Sequence, residues 1–202
     1  MLYLPRTTLL ALLGLAVVGV TAFAQEAIWV RGTVERIEQS KLFVKTKFGA
    51  PVRLVAGDSP QFVAAVKSSI AEIRPGMFVR AVDKPHSPEI RQVAVLHVFP
   101  HFMQRADSLY HLDQGSKNGV TSGSVEHLTA VADGHTLTIK DKQGEKKLLI
   151  SASTAVIAFV PGDMSELKPG TALAVIDAKR LPEGLLQANI IIYGRDGIAP
   201  PL

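Results

Sequence analysis

Ser165-Glu166-Leu167-Lys168-Pro169-Gly170 repeats a stretch found 94 residues earlier, Ala71-Glu72-Ile73-Arg74-Pro75-Gly76. Both copies run small residue, Glu, aliphatic, cation, Pro, Gly, and both lead into an apolar run. Proline cannot continue a helix, and glycine takes the positive φ that reverses the chain. The pair therefore marks one corner used twice, and its chemistry is that of a turn rather than of a ligand site.

Further matches appear on either side of the corner. Gly123-Ser124-Val125-Glu126 follows Gly32-Thr33-Val34-Glu35 at an offset of 91. Leu137 to Gly144 follows Leu42 to Gly49, and Gln187 to Tyr193 follows Gln92 to Val98, both at 95. The offset grows because Ala132-Asp133-Gly134-His135 lengthens the first hairpin of the second copy.

In the first copy, alternating apolar residues predict strands from Ile28 to Ile37, Leu42 to Lys47, Val52 to Ala56, Met77 to Val82 and Ile90 to Phe99. Gly57-Asp58-Ser59-Pro60 reads as a break. Phe62, Val63, Val66, Ile70 and Ile73 follow at helical offsets. They predict a short helix near 67–73, capped by Ser68 or Ser69. Three strands, a short helical segment and two more strands is the order of an OB-like barrel, and closure removes exposed edges.

The expected fold is all-β with minor helix: two tandem five-stranded OB-like barrels over 25–99 and 120–202, the second with a C-terminal tail. A linker, 100–119, joins them. A single sandwich of about ten strands is the rival.

Residues 1–24 read as a signal peptide. Arg6 precedes the apolar run Leu9 to Val20, and Ala22-Phe23-Ala24 is an A-x-A cleavage site. The expected location is the periplasm, with the membrane met only in transit. An uncleaved leader would instead be an N-terminal anchor.

The 202 residues carry a net charge of +4, spread along the chain, and 6% aromatics, which gives no footprint for nucleic acid. There is no cysteine, so no disulfide, thiolate metal site or thiol nucleophile is available. Neither a G-x-S-x-G elbow nor an H-E-x-x-H pair occurs, and no phosphate-cradling Gly loop does. No enzyme activity is expected.

The ordered set Gly144-Glu145-Lys146-Lys147, Val160-Pro161-Gly162-Asp163, Leu167-Lys168-Pro169-Gly170, Gly194-Arg195-Asp196-Gly197 and terminal Pro200-Pro201 resembles a family of exported bacterial proteins of unknown function. These are built from OB-like barrel repeats. Some such chains carry a name tied to metal transport, but the single N-terminal apolar segment here does not support a permease. The resemblance brings no catalytic residues.

Two groups of side chains are candidates. Lys45, Lys47, Lys140 and Lys142, with Lys146 and Lys147 nearby, lie on the second and third strands of the copies. OB barrels bind ligands across that face, and a basic face suits acidic glycans, lipid headgroups or an acidic protein. The same lysines also serve a strand by blocking edge-to-edge pairing.

His97, His101 and His111, with Met103, form the second group. Imidazoles suit zinc, and imidazole with thioether suits copper. Pro100 breaks helical spacing between His97 and His101, and Ile192 stands at the position equivalent to His97. The expectation is a non-enzymatic envelope binding protein with no resident cofactor. The alternatives are a metal-handling protein using the linker histidines and a structural spacer.

Overall fold

A computed structural model of the protein describes residues 28–46, 49–85, 91–103 and 119–200. The leader expected at 1–24, most of the linker expected at 100–119, Lys47 and His111 lie outside the described residues. The first half contributes β1 (Ile28–Glu38), β2 (Lys41–Thr46), β3 (Pro51–Lys67), β4 (Phe78–Pro85) and β5 (Arg91–Phe99). The second contributes β6 (Gly119–Val131), β7 (Gly134–Asp141), β8 (Gly144–Ile150), β9 (Ala155–Pro161), β10 (Ala172–Arg180) and β11 (Leu185–Gly194). Short 3-10 turns at Ile70–Glu72 and Met164–Glu166 precede the two corners. The all-β expectation and its minor helix hold.

Five strands close into a barrel. β1 pairs with β2, β2 with β3, β3 with β11, β11 with β10, and β10 with β1 again. The β3–β11 ladder is parallel and the others antiparallel. Five of the remaining strands follow the same order, β5–β4–β6–β7–β8, and β9 lies between β3 and β5. β8 meets β5 again in parallel at Leu148–Arg91 and Leu149–Gln92.

The strand partners differ from the tandem expectation. β4 and β5 belong by sequence with β1–β3, yet they pair with β6–β8. β10 and β11 complete β1–β3. The two halves exchange their last two strands.

The repeated corner shows how. The Gly76 N–H donates to Val125 O across 2.8 Å, and the Gly170 N–H donates to Val34 O across 2.8 Å. Ile73, from the first corner, is buried in the apolar cluster with Val125, Leu137 and Ile139. Leu167, from the second, is buried with Val34, Leu42 and Val44. Each corner plugs the ring to which the other half gives three strands. Both glycines hold positive φ, 83° and 91°, as the Pro-Gly pairs predicted.

The halves meet at a local two-fold. β3 and β9 run antiparallel with Val63 opposite Pro161, Ala65 opposite Phe159 and Lys67 opposite Ile157. Ala65 and Phe159 are 94 residues apart, the offset of the corner repeat, so each faces its own counterpart. A third apolar cluster fills this seam: Val63, Ala65, Phe99, Met103, Phe159, Ile176 and Ile192.

The short helix expected near 67–73 is one 3-10 turn, Ile70–Glu72, with Ser69 at its N-cap position; residues 61–67, whose apolar spacing also read as helical, are not part of it. They continue β3 as strand. Val63, Ala64 and Ala65 are all fully buried, with Ala64 in the barrel core and its neighbours in the seam. A strand covered on both faces loses its period of two and reads as a continuous apolar run. Gly57-Asp58-Ser59-Pro60 is accordingly a bulge rather than a break. Ala56 lies opposite Ala188 and Gln61 opposite Ile190, so four residues face Asn189 alone. A Cβ on Gly57 would meet the Asn189 side-chain amide oxygen, which would have to turn aside.

Candidate functional site

Gly32 and Gly123 are where strands approach too closely for a side chain. A Cβ on Gly32 would meet the Lys45 carbonyl and the Val44 side chain, and one on Gly123 the Lys140 carbonyl and the Ile139 side chain. A cleft lies at each glycine crossing. The first, about 380 Å³, is lined by Arg31, Thr33, Lys45, Thr46, Ala172 and the tail residues Ala199 and Pro200. The second, about 520 Å³, is lined by Phe78, Ser122, Ser124, Lys140, Lys142 and Gln143, with Asp141 beside them.

The clefts are equivalent under the repeat. Arg31, Gly32 and Thr33 stand where Ser122, Gly123 and Ser124 stand, and Lys45 stands where Lys140 does. Each cleft takes one wall from each half of the chain. Arg31 lies opposite Ala174 across β1–β10, and Arg80 opposite Ser122 across β4–β6. Each crossing thus holds one arginine against a small residue, from opposite sides of the ladder.

Of the candidate lysines, Lys45 reaches one cleft and Lys140 and Lys142 the other; all three are exposed. Among the described residues no carboxylate pairs with them. Asp141 is engaged elsewhere, 2.5 Å from the Lys146 ammonium. That contact, with the Gln143 N–H, holds its carboxyl below the ordinary aspartate range. The second cleft therefore offers two ammonium groups with no carboxylate partner among the described residues, the Ser124 hydroxyl and an amide beside the half-buried Phe78, while the Ser122 hydroxyl accepts from Arg80 at 3.3 Å. Arg31, Phe78, Ser122 and Ser124 were not singled out by the sequence. The recurrence of G-x-V was the available signal, since it marks the glycine crossing.

The histidines go elsewhere. His97 is 1% exposed in the seam, and His101 is exposed on the turn that follows β5. The structure does not bring these two to one accessible site, and no metal-competent group of three is present among the described residues. The His97 ring lies 6.0 Å from the Phe159 ring, centroid to centroid. Neither ring nitrogen has a hydrogen-bond partner among the described residues. Burial, with the nearby Arg80 guanidinium, lowers its pKa to about 4. The imidazole is neutral at pH 7.

The second corner carries a clamp. Arg195 donates to both Glu166 oxygens, at 2.8 and 2.9 Å. The Asp163 N–H donates to the Tyr193 hydroxyl at 3.1 Å. The Tyr193 hydroxyl and the Arg195 guanidinium hold Glu166 below the ordinary range. Burial raises the Tyr193 pKa. These contacts tie the corner to Tyr193 on β11 and to Arg195 just after it.

Comparison with protein-family models, with curated proteins and with solved structures gives no match.

Proposed function

We propose that the chain is an exported, non-enzymatic binding protein of the envelope, and that its ligand is anionic and sits in the clefts over Gly32 and Gly123. Each ring is read as an OB-like barrel completed by exchange. The supporting features are the ring order β1–β2–β3–β11–β10 and its parallel β3–β11 ladder.

One observation carries the ligand reading. The same cleft is built twice, and each copy presents lysine without a carboxylate partner among the described residues. An ammonium that is not neutralised by the protein is available to a carboxylate or phosphate, at about 1 kcal/mol per close contact in water.

The test is titration with polygalacturonate at low and at physiological salt. The wild-type protein is compared with Lys45→Glu/Lys140→Glu/Lys142→Glu. Binding that falls by about tenfold or more, ~1.4 kcal/mol, on charge reversal and on adding salt supports the proposal. Binding indifferent to both changes removes the clefts from consideration.

A further inference from the structure

We propose that a second copy of this chain is a partner for the first, taken up by exchange of whole halves, so that each cleft is then built from two chains. This inference does not depend on the ligand reading.

Six of the twelve strand ladders among the described residues cross between the halves: β1–β10, β3–β11, β3–β9, β4–β6, β5–β8 and β5–β9. The hydrogen bonds of both corners cross as well, and so does Thr121 to the buried Asp83 at 3.0 Å. Neither half completes a ring by itself. The first supplies three strands of one ring and two of the other, and so does the second. Each half is therefore both donor and acceptor, and the requirement it places on its partner is met by the other half of any copy.

Two chains satisfy all of these ladders reciprocally. The first half of one chain takes the second half of the other, and the remaining halves do the same. The assembly closes, because no half is left over. Its seams reproduce the Ala65–Phe159 pairing. Every ladder between the halves among the described residues recurs in the pair, so the balance between one chain and two is set by how the halves are joined. Joining two modules in one chain holds them at an effective concentration on the order of millimolar. Folding at about that concentration brings the two routes into competition.

The consequence for the clefts follows from their walls. Lys45 and Thr33 come from the first half, and Ala172, Ala174 and Pro200 from the second. In the exchanged pair, one chain holds the lysine side of a cleft and the other chain its opposite wall.

The chain has no cysteine, so the exchange can be read by a single introduced pair. Thr33 lies opposite Ala172 in the β1–β10 ladder. Full-length Thr33→Cys and full-length Ala172→Cys are mixed, unfolded together, refolded at roughly millimolar total concentration and oxidised. The expected result is a disulfide-linked dimer on a denaturing gel. It is absent when the folded proteins are mixed without unfolding, and it is lost on refolding at about a thousandfold dilution.

Thr33→Cys mixed with Phe78→Cys is the control, because Phe78 is the position on β4 that corresponds to Ala172. That mixture is expected to give no linked dimer. The double variant Thr33→Cys/Ala172→Cys in one chain shows separately that the positions tolerate cysteine in the fold. If that variant closes its internal disulfide but the mixed single variants never link, the proposal is overturned. Linkage of the control mixture to the same extent overturns it too, since random collision would then explain both.

Discussion

Ala65 and Phe159 lie opposite each other across β3 and β9, and they occupy the same position of the repeat. One member is the smallest apolar side chain and the other among the largest, so the seam is asymmetric at its centre. Phe159 stacks against Phe99 with ring centroids 4.9 Å apart and is 3% exposed. Phe159→Ala is expected to cost about 3–5 kcal/mol in denaturant unfolding, from lost transfer energy plus a residual cavity. A cost below ~1 kcal/mol would mean that the seam is not a packed core.

His97 predicts an acid-sensitive seam. Its folded pKa, about 4, lies below its unfolded value near 6.5, so the unfolded chain binds the proton more tightly. Its contribution is fully present above pH 6.5 and is lost as the pH falls from 6.5 to 4. The loss is about 3 kcal/mol. Arg80, opposite His97 on β4, makes the protonated ring still less favourable; its other strand neighbour, Ile157 on β9, carries no charge. The depressed carboxylates Asp141, Asp163 and Glu166 lose their contributions further down in the acid range. His97→Ile copies Ile192, the residue at the equivalent position. Urea midpoints measured from about pH 4 to 7 are expected to slope in the wild type and to flatten in His97→Ile. Equal slopes would refute a buried neutral imidazole.

The two corners predict a matched pair of substitutions. Gly76 and Gly170 hold φ of 83° and 91°, and a Cβ at either would meet nothing within 4 Å. The cost of alanine is therefore a backbone cost alone, about 1–2 kcal/mol. Gly76→Ala and Gly170→Ala are expected to lose similar amounts and to add in the double variant, as independent sites do. A penalty at one corner only would show that the corners are not equivalent.

The clamp at the second corner carries less weight. Glu166 and Arg195 are both about one-third exposed, at 33% and 35% of their side chains. Arg195→Ala is expected to lower the thermal midpoint by less than about 4 °C. A fall of roughly 10 °C or more would give this ion pair a structural weight that its exposure does not support.

The strands and the corners were legible because each rests on local chemistry: a period of two, a proline, a glycine. The partners of the strands were not legible. Val79 and Leu173 are equivalent apolar residues, and either one could sit beside Gly32 with the same face buried. Local pattern gives a strand its inward side and not its neighbour.

The continuation of β3 through residues 61–67 was not legible for a related reason, since burial on both faces erases alternation. His97 was read as a ligand candidate because its residue type suggested one. Its counterpart Ile192 was the better guide to its buried place. Lys45, Lys140 and Lys142 were legible as a basic set. Their division between two clefts depends on the glycine crossings.

The exchange of strands between the halves is tested most directly by two double variants of the full-length chain. Thr33→Cys/Ala172→Cys joins β1 to the strand it pairs with here, and Thr33→Cys/Phe78→Cys joins it to the equivalent strand of its own half. Each is oxidised while folded and dilute, and free thiol is counted after denaturation. The expected result is a closed disulfide in the first variant and two free thiols in the second. The reverse, with two free thiols in the first variant and a closed disulfide in the second, would contradict the exchange and restore two separate tandem barrels.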